Sequence, residues 1–369
     1  MSNIMSVLFA SDNENKLNEL TIHRTPASLP FCGRYRLIDF SLSNLVNSGV
    51  TTIGIIARNN YNSLMDHIRM GRDWDLNRKN SGLAVFPPFV TNMSRDLYKS
   101  KIEAIYGIAD YLKRAKEEYI VITNGNIAYN FDFGLLYDFH NVRNADITLL
   151  VYKTAATARR VLPVIGKNGR ISELIFSNSQ SQKPADVAMN VYLMRKDLLL
   201  ELTDAAYSRG QVDFEKDILL ARIPELRIFA YETTGYAAVI DDIKSYYYES
   251  MKLLNKEIRD GLFDSYGNIY TKVKDSAPAA YGDKAVVKNS LIADGCKING
   301  YVENSVLFRG VSIEAGAHVV NSIVMENGQI LSNSNISYVI TDKNVVVKEN
   351  RNISGFETYP IVIVKDKIV

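Results

Sequence analysis

A loop with two carboxylates follows the first apolar segment of the chain. The run from Ile4 to Ala10 is typical of a buried strand, and the sequence SDNENKLNELT comes directly after it. At this point in an α/β protein, glycine N–H groups would hold a nucleotide phosphate, because only glycine lets a phosphate approach so closely. This loop has no glycine and carries Asp12 and Glu14, whose charges would repel a triphosphate. The loop is therefore either a nucleotide site that has been lost or one that never existed.

A cluster of basic residues comes next. The segment IHRTPASLPFCGRYR contains His23, Arg24, Arg34 and Arg36. Arginine binds phosphate oxygens through two parallel hydrogen bonds, so these residues could hold an anionic ligand. The alternative is that the arginines are solvated or paired with carboxylates such as Asp39. The sequence leaves both interpretations open.

The length and composition of the chain constrain its number of domains, its core and its class of partner. At 369 residues the chain exceeds an ordinary domain of ~100–200 residues, which favours two domains. With 47% hydrophobic and 23% charged residues, the chain can bury a large core. Its formal charge of +2 lacks the basic excess that is typical of nucleic-acid binding, so no nucleic-acid partner is expected.

Cysteines and apolar runs bear on the compartment. Cys32 and Cys296 lie far apart and form neither a disulfide framework nor a zinc motif, so a reducing compartment is expected. No stretch approaches the ~20 apolar residues of a membrane span, and no positive charge precedes the run Ile4 to Ala10. The sequence thus predicts a cytoplasmic protein with no membrane partner.

Apolar runs alternate with helical patterns from residue 6 to about residue 240. In KIEAIYGIADYLKRAKEE, isoleucine and leucine recur at near-helical spacing, and the apolar run YIVI follows. Such alternation predicts a Rossmann-like α/β domain with a mainly parallel sheet, which we assign to residues 1–244. Ligands of such sheets bind at the carboxyl ends of the strands.

A repeated pattern occupies the last quarter of the chain. The segments KNSLIADG, ENSVLFRG and VNSIVMENG share an Asn-Ser pair and two apolar residues, and SYVITD is a weaker copy. The apolar pairs begin at Leu291, Val306, Ile323 and Val339, in steps of 15, 17 and 16 residues. These steps match one turn of a left-handed parallel β-helix made from hexapeptides, which predicts an all-β domain over residues 275–369. A meandering sheet is the alternative.

A connector of residues 245–274 separates the two predicted domains. Its sequence SYYYESMKLLNKEIRDGLF has the spacing of one amphipathic helix, from Ser245 to Phe263. We expect the tyrosines and leucines of this helix to pack against neighbouring elements and to bind no ligand.

Several segments, taken in order, resemble those of ADP-glucose pyrophosphorylases, which are glucose-1-phosphate adenylyltransferases. They are RTPASLPFCGRYRLIDFSLSNLVNSGVTTIGI, SLMDHIRMG, YIVITNGNIAYNFD, VDFEKDIL and TTGYAAVIDDIKSYYYESMKLLN. The hexapeptide region comes last, so the resemblance runs the length of the chain. Its first segment is similar to that of GlgD-type subunits of bacterial glycogen synthesis. The resemblance implies a nucleotidyltransferase domain followed by a left-handed β-helix.

The family reaction joins ATP and glucose 1-phosphate into ADP-glucose and pyrophosphate. It needs N–H donors and cations around the triphosphate, and a divalent metal on carboxylates. The family's phosphate loop reads like AGGxGTRLxPLT and aligns with ASDNENKLNELT. Its glycines thereby become Ser11, Asp12 and Glu14, and its arginine becomes Lys16, which removes the phosphate cradle.

Further departures affect the metal and the catalytic lysine. The lysine of a segment like RAKPAV corresponds to Pro26, and the metal aspartate of AGD corresponds to Asn126. The second metal aspartate, in a segment like GYWxDVGT, corresponds to Val239, while Asp241 and Asp242 follow and are expected to point elsewhere unless the backbone shifts. The sugar-contacting SMGIY becomes AMNVY, without its serine hydroxyl. The resemblance therefore implies no catalytic residues and no metal site.

The expected function is that of a non-catalytic or catalytically impaired regulatory subunit. It would need no cofactor by itself, since Mg²⁺ would bind in the catalytic partner. That partner is a catalytic ADP-glucose pyrophosphorylase subunit in a hetero-oligomer, expected to be a tetramer, and a homo-oligomer is an alternative. In the family, the stretch that contains Arg24 and Arg36 lines an allosteric pocket between the domains. His23, Arg24 and Arg36 are therefore candidates for binding a sugar-phosphate effector.

Two other functions stay open at this point. The first is a slow but genuine glucose-1-phosphate adenylyltransferase, with a metal held through Asp241 or Asp242. The second is a sugar-nucleotide-binding or structural protein without a catalytic partner. Turnover by the chain alone, and then with a catalytic subunit, would distinguish these functions.

Overall fold

The computed structural model describes residues 3–11, 14–79, 81–87, 98, 100–155, 160–177 and 183–369. Along the chain it has an α/β domain, a helical connector and a parallel β-helix. No helix within the described residues is long and apolar enough to cross a bilayer.

A seven-stranded sheet forms the centre of the described α/β domain. The strands of this domain are β1 (Ile4–Phe9), β2 (Pro30–Phe31), β3 (Tyr35–Arg36), β4 (Thr52–Ile56), β5 (Gly82–Phe86), β6 (Tyr119–Asn124), β7 (Ile127–Tyr129), β8 (Ile147–Ala155), β9 (Arg160–Ile165), β10 (Ile171–Ser177), β11 (Pro184–Arg195), β12 (Ile228–Glu232) and β13 (Ala237–Val239). The order in the sheet is β12-β8-β11-β6-β1-β4-β5. β1 runs parallel to β4 and β6, whereas β11 runs antiparallel to β6 and β8. The prediction of a mainly parallel sheet is confirmed.

Short antiparallel pairs extend this domain: β2 with β3, β9 with β10, and β7 with β13. The β2–β3 turn places Gly33 at φ +76°, a region that favours glycine. The β7–β13 pair aligns Ile127 with Val239. This pairing brings the segment after β6 next to the segment after β13, and both segments contribute to the site described below.

Helices cover both faces of the sheet. They are α1 (Glu14–Leu17), α2 (Leu37–Asn47), α3 (Asn62–Ile68), α4 (Lys101–Gly107), α5 (Ala109–Arg114), α6 (Phe133–Val142), α7 (Lys196–Ser208), α8 (Ile243–Lys252) and α9 (Lys256–Phe263), with 3₁₀ turns at Asn18–Leu20, Pro26–Ser28 and Arg72–Trp74 and a π-helix at Phe214–Leu220. α4, α5, α7 and the π-helix pack on one face, and α2, α3 and α6 pack on the other. Each face buries a continuous apolar cluster, which fixes the loops at the strand ends.

The connector differs from its prediction of one helix over Ser245–Phe263. The structure has two helices there, because α8 ends at Lys252 and α9 begins at Lys256. The side-chain oxygen of Asn255 accepts hydrogen bonds from the backbone N–H groups of Glu257 (2.8 Å) and Ile258 (3.3 Å). This is an N-cap, and an N-cap starts a new helix instead of continuing the previous one.

A parallel β-helix occupies the end of the chain, where residues 183–369 are described without a gap. Its strands are β14 (Ala280–Tyr281), β15 (Val286–Lys288), β16 (Leu291–Ile292), β17 (Lys297–Ile298), β18 (Tyr301–Glu303), β19 (Val306–Leu307), β20 (Ser312–Ile313), β21 (His318–Val320), β22 (Ile323–Val324), β23 (Gln329–Ile330), β24 (Asn335–Ser337), β25 (Val339–Thr341), β26 (Val346–Val347), β27 (Asn352–Ser354) and β28 (Ile361–Ile363). They form three parallel five-stranded sheets, β14-β17-β20-β23-β26, β15-β18-β21-β24-β27 and β16-β19-β22-β25-β28. The predicted β-helix is confirmed and the meandering sheet is excluded.

The register of the fourth repeat differs by one residue from its prediction. Ile323 pairs with Ile340, and not with Val339, so the last step is 17 residues. The reason is the corner that precedes each pair. Asn321 turns this corner at φ +47°, and at the equivalent corner of the next coil Tyr338 stands in place of an asparagine at φ +54°. Val339 therefore takes the place of the serine in the other repeats, and its N–H donates to Ser322 Oγ at 3.2 Å.

An interdomain apolar cluster joins the two domains. It contains Phe31 and Phe40 from the α/β domain, Tyr246 from α8, and Phe308 and Met325 from the β-helix. All five side chains are at most 2% exposed. The cluster makes the β-helix part of the core that stabilises the α/β domain.

Candidate functional site

The strand order locates a crevice at the carboxyl ends of β1 and β6. From β1 the chain continues to β4 and β5 on one side, and then returns to β6 on the other side. In open α/β sheets, ligands bind at this reversal of strand order. The loop after Phe9 and the turn after Asn124 both leave the sheet there. Ser11 and Asn126 lie in these loops, whereas Pro26 and Val239 lie in other elements, a 3₁₀ turn and β13.

Packing and hydrogen bonds both hold the described part of the loop after β1. Leu17 and Leu20 are fully buried. Ser11 Oγ accepts a hydrogen bond from the Arg58 backbone N–H at 2.9 Å. Lys16 is partly exposed in α1. Asp12 lies outside the described residues, as does the side chain of Glu14, so the predicted repulsion of a triphosphate stays a prediction.

Residue 26, to which the resemblance assigns the family's lysine, has a structural role in this chain. Pro26 is buried and begins the 3₁₀ turn Pro26–Ser28. A proline offers neither a positive charge nor an N–H donor to a phosphate. The structure therefore places no lysine function at residue 26.

An ion pair lies over the end of β1, on the face covered by α4 and the π-helix. Lys101 Nζ is 2.9 Å from Glu215 Oε1, and the two side chains are 14% and 15% exposed. The same oxygen accepts a hydrogen bond from the Tyr192 hydroxyl at 3.0 Å, and Lys101 Nζ lies 5.9 Å from the Phe9 ring centroid. Burial acts to raise the pKa of Glu215, but Lys101 and Tyr192 together hold that pKa below its usual value. This carboxylate is therefore neutralised within the chain.

A second ion pair lies after β13, on the other side of β6. Arg160 Nη1 is 2.7 Å from Asp241 Oδ2, with side chains 8% and 15% exposed. Arg160 Nη2 also donates to the Val239 carbonyl oxygen at 3.0 Å. Val239 itself is 3% exposed and offers no ligand oxygen from its side chain. The second metal position is thus an apolar core residue beside a bound guanidinium.

Asn126 connects this ion pair to the end of β6. Its Nδ2 donates to the Ile240 carbonyl oxygen at 2.8 Å and to Asp241 Oδ1 at 3.2 Å. The expectation that Asp241 points elsewhere was wrong, because its carboxylate reaches Asn126. Asp242 does point elsewhere, since Oδ1 accepts the Ser245 N–H and caps α8.

Mg²⁺ does not fit these residues. It prefers carboxylate oxygens in a strict octahedral arrangement. Asn126 offers one neutral amide oxygen, and the Asp241 carboxylate is already bound by Arg160. Among the described residues, no group of three or more His, Cys, Asp or Glu side chains could hold a metal ion.

A second charged region, the interdomain ionic cluster, lies between the α/β domain and the β-helix. We define it as Arg24, Arg36, Lys274, Glu326, Asp342 and Lys343. Arg24 Nη2 is 2.7 Å from Asp342 Oδ1, and both side chains are at most 3% exposed. The two residues are 318 positions apart in the sequence, so this ion pair ties one domain to the other.

The remaining members of this cluster surround Glu326. Its two oxygens contact Lys274 Nζ at 3.0 Å and Lys343 Nζ at 2.5 Å. Burial acts to raise the pKa of Glu326, but the two lysines lower it to about 2. Burial and the charge of Arg36 lower the pKa of Lys343 to about 8, although Glu326 opposes this shift. Burial, more than the neighbouring Arg36, thus disfavours the charged form of this lysine.

The guanidinium of Arg36 binds Ser63, and among the described residues no ion pair joins it to a carboxylate. Its Nη1 donates to the carbonyl oxygen and the hydroxyl of Ser63, at 2.6 and 2.9 Å. Its backbone N–H donates to Asp39 Oδ2, while Asp39 Oδ1 lies 2.5 Å from His67 Nε2. Burial lowers the pKa of Arg36. His23 is exposed and makes no part of this cluster. Of the three effector candidates, Arg24 and Arg36 therefore lie together, and Arg24 is already paired.

Sequence reasoning did not single out Lys101, Glu215, Arg160, Glu326 or Lys343. Lys101 lies in α4 and Glu215 in the π-helix, 114 positions apart, and although VDFEKDIL contributes to the resemblance, nothing in it points to Lys101. Only the fold brings such partners together, so no local signal in the sequence could have identified them.

Known proteins are similar to this chain over both domains. A nucleotidyl transferase family model matches residues 7–229, and a GlmU-like C-terminal hexapeptide model matches residues 276–358. The glycogen biosynthesis protein GlgD of Bacillus subtilis (strain 168) is 34% identical, over 85% of this chain and 81% of its own length. A glucose-1-phosphate adenylyltransferase of Thermosipho africanus (strain TCF52B) is 33% identical, over 86% of this chain and 78% of its own length. The glucose-1-phosphate adenylyltransferase of Geobacillus stearothermophilus is 30% identical, over 85% of this chain and 82% of its own length.

These matches agree with the fold and extend over the crevice and the interdomain ionic cluster alike. The hexapeptide match identifies the β-helix as the left-handed type. The chain therefore belongs to the nucleotidyl transferase family, within the group that contains the glucose-1-phosphate adenylyltransferases and the glycogen biosynthesis protein GlgD.

Proposed function

We propose that this chain is a non-catalytic, GlgD-type regulatory subunit of glucose-1-phosphate adenylyltransferase, which modulates ADP-glucose synthesis for glycogen. The observation that carries this proposal is the arrangement of Asn126, Asp241 and Arg160. An amide stands where the chemistry needs a carboxylate, and a guanidinium binds the nearest carboxylate. The subunit needs no cofactor, and Mg²⁺ acts in a catalytic partner with which it forms a hetero-oligomer, a tetramer.

The interdomain ionic cluster supports a regulatory role. Its cations lie between two domains that share one core, so an anionic ligand there contacts both domains at once. A sugar-phosphate effector can shift the subunit between two states only if it binds one of them more tightly. A partner that contacts those states differently then responds to the effector, without any chemistry in this chain.

The slow-enzyme alternative is favoured by one observation, the contact between Asp241 and Asn126. A metal at that carboxylate would have to compete with Arg160, whose Nη1 lies 2.7 Å from it. The two functions therefore differ in what happens when Arg160 is removed. Under the slow-enzyme alternative, Arg160→Gln releases Asp241 and raises a Mg²⁺-dependent rate.

The deciding experiment measures ADP-glucose formation from ATP and glucose 1-phosphate, by the purified chain alone and with a catalytic subunit. We expect negligible turnover by the chain alone, because losing a single preorganised charge contact already costs about 10²–10³ in rate. We expect the mixture to show a changed rate or effector response relative to the catalytic subunit alone.

The controls are Asn126→Asp and Arg160→Gln, each assayed alone. Neither should restore turnover, since Val239 still lacks a carboxylate. Robust synthesis by the pure chain, or a gain with Arg160→Gln, would contradict the regulatory proposal. A mixture whose rate and effector response equal those of the catalytic subunit would instead favour a sugar-nucleotide-binding or structural protein.

A further inference from the structure

A small cavity lies beside the crevice, beyond the ends of β1 and β4 and under the first turn of α4. Its volume is about 100 Å³. Its lining includes Phe9, Ser11, Ile56, Arg58, Ser100 and Lys101. Apolar side chains thus form one part of the wall, and basic or hydroxyl groups form the rest.

One cation of this cavity has no counter-charge. Lys101 is paired with Glu215 at 2.9 Å, whereas the structure records no ion pair for Arg58 within its described residues. Arg58 Nε is buried and has no hydrogen-bond partner. Arg58 is half-buried, but its Nε–H is a buried donor without a partner, and such a donor often marks the place of a bound water or ion. The cavity therefore has the electrostatic requirement of an anion site.

Two hydroxyls supply further donors. Ser11 Oγ accepts the Arg58 N–H at 2.9 Å, and Ser100 Oγ accepts the Glu103 N–H at 3.1 Å. In each of these bonds the serine oxygen is the acceptor, so the hydroxyl proton does not take part and can point to another group. A serine hydroxyl has one proton to donate. The hydroxyls of Ser11 and Ser100 can therefore donate to a ligand that also receives Arg58 Nε–H.

The volume decides which anion fits. Pockets for nucleotide-sized or drug-sized ligands have volumes of roughly 300–1,000 Å³, whereas one water takes about 30 Å³. A cavity of about 100 Å³ accepts a compact ion and excludes a nucleoside triphosphate. We propose that this cavity binds inorganic phosphate, held by Arg58 and by the hydroxyls of Ser11 and Ser100. This site is separate from the interdomain ionic cluster and from any regulatory role.

The test is calorimetric titration of the full chain with inorganic phosphate, against chloride at the same ionic strength. The variant Arg58→Gln removes the charge and retains a donor of similar length. We expect it to lose at least about tenfold in phosphate affinity, because hydrogen bonds to a charged group are the stronger ones. Ser11→Ala is expected to weaken binding about threefold to tenfold, and it offers a second variant if Arg58→Gln does not fold.

The matched control is Arg78→Gln, which removes an exposed arginine that is paired with Asp75. It should bind phosphate like the unaltered chain. Equal affinity in all variants would mean that phosphate binds elsewhere, such as at the interdomain ionic cluster, and would overturn the proposal. So would an absence of phosphate binding up to ~10 mM, judged from titrations at two temperatures because the heat of binding can vanish at one of them. Because no catalytic subunit is present, this result is independent of the proposed function.

Discussion

The crevice and the interdomain ionic cluster both contain buried charges, but the charges are balanced differently. In the crevice, Lys101 and Arg160 each have a carboxylate of their own, Glu215 and Asp241. In the interdomain ionic cluster, two lysines share the single carboxylate of Glu326. At the edge of that cluster the charges of Asp39 and Asp66 are balanced by those of Arg69 and Lys272. The cluster itself therefore keeps more positive than negative charges.

This difference indicates which region can still attract a ligand with several negative charges. A carboxylate that is neutralised inside the chain neither binds a metal nor needs one. Cations without a carboxylate partner create a positive electrostatic potential that attracts an anion. Because burial also removes water from these cations, binding an anion restores part of the lost stabilisation of their charge. The comparison therefore predicts that the interdomain ionic cluster has kept a ligand function, whereas the main part of the crevice has become structural.

The largest expected effect concerns the member of the interdomain ionic cluster that is already paired. Arg24→Met leaves Asp342, 1% exposed, without its cation, and it should lower the free energy of unfolding by about 3–5 kcal/mol. Urea unfolding measures this loss. The double variant Arg24→Met with Asp342→Leu should recover much of it.

A matched control uses Arg195, whose side chain is 50% exposed and which pairs with Asp197. Arg195→Met should change the free energy of unfolding by less than about 1 kcal/mol. If Arg24→Met were as mild as this control, the pair with Asp342 would not be the bridge that joins the domains.

An intermediate effect is expected at Arg36, which rests on the proposed function. In a complex with an unaltered catalytic subunit, Arg36→Gln should raise the half-saturating concentration of fructose 1,6-bisphosphate about ten- to hundredfold. The exposed neighbour Arg34 provides the control, and Arg34→Gln should leave the activation curve unchanged. If Arg36→Gln and Arg34→Gln gave the same activation curve, regulation would reside in the catalytic subunit. The interdomain ionic cluster would then have no more ligand function than the crevice.

A smaller effect, with a defined pH range, is expected at Glu326. Its pKa in the folded chain is about 2, below the ordinary value of 4.5. The stabilisation is therefore complete above pH 4.5 and is lost as the pH falls towards 2. At pH 7, Glu326→Gln should cost about 1–3 kcal/mol of unfolding free energy, and this difference should shrink on acidification. A difference that stayed constant from pH 7 to pH 3 would contradict the assigned pKa.

Much of the fold could be predicted because its signals are local. Apolar runs specify buried strands, and the Asn-Ser repeats specify coils whose corners need a left-handed φ, as at Asn304 and Asn321. The errors came where a local rule was broken. Tyr338 turns a corner without being asparagine, which displaced the predicted register, and Asn255 capped a new helix within an apparently continuous pattern.

The candidate site was less predictable because its chemistry depends on distant partners. The losses at Pro26, Asn126 and Val239 were visible from the resemblance, since each is a change of residue type at one position. That Asp241 would be bound by Arg160 was not visible. Such pairing depends on how β9 and β13 approach each other, and that approach is a property of the whole sheet.

The interdomain apolar cluster also has a consequence during synthesis. The α/β domain and α8 leave the ribosome before Phe308, Met325 and Ile340, which cover Phe31 and Tyr246 in the finished chain. At about 5–20 residues per second, translation of the β-helix residues that complete this cluster takes on the order of ten seconds. For that time the nascent domain exposes aromatic side chains to solvent, and such apolar surface is what chaperones bind.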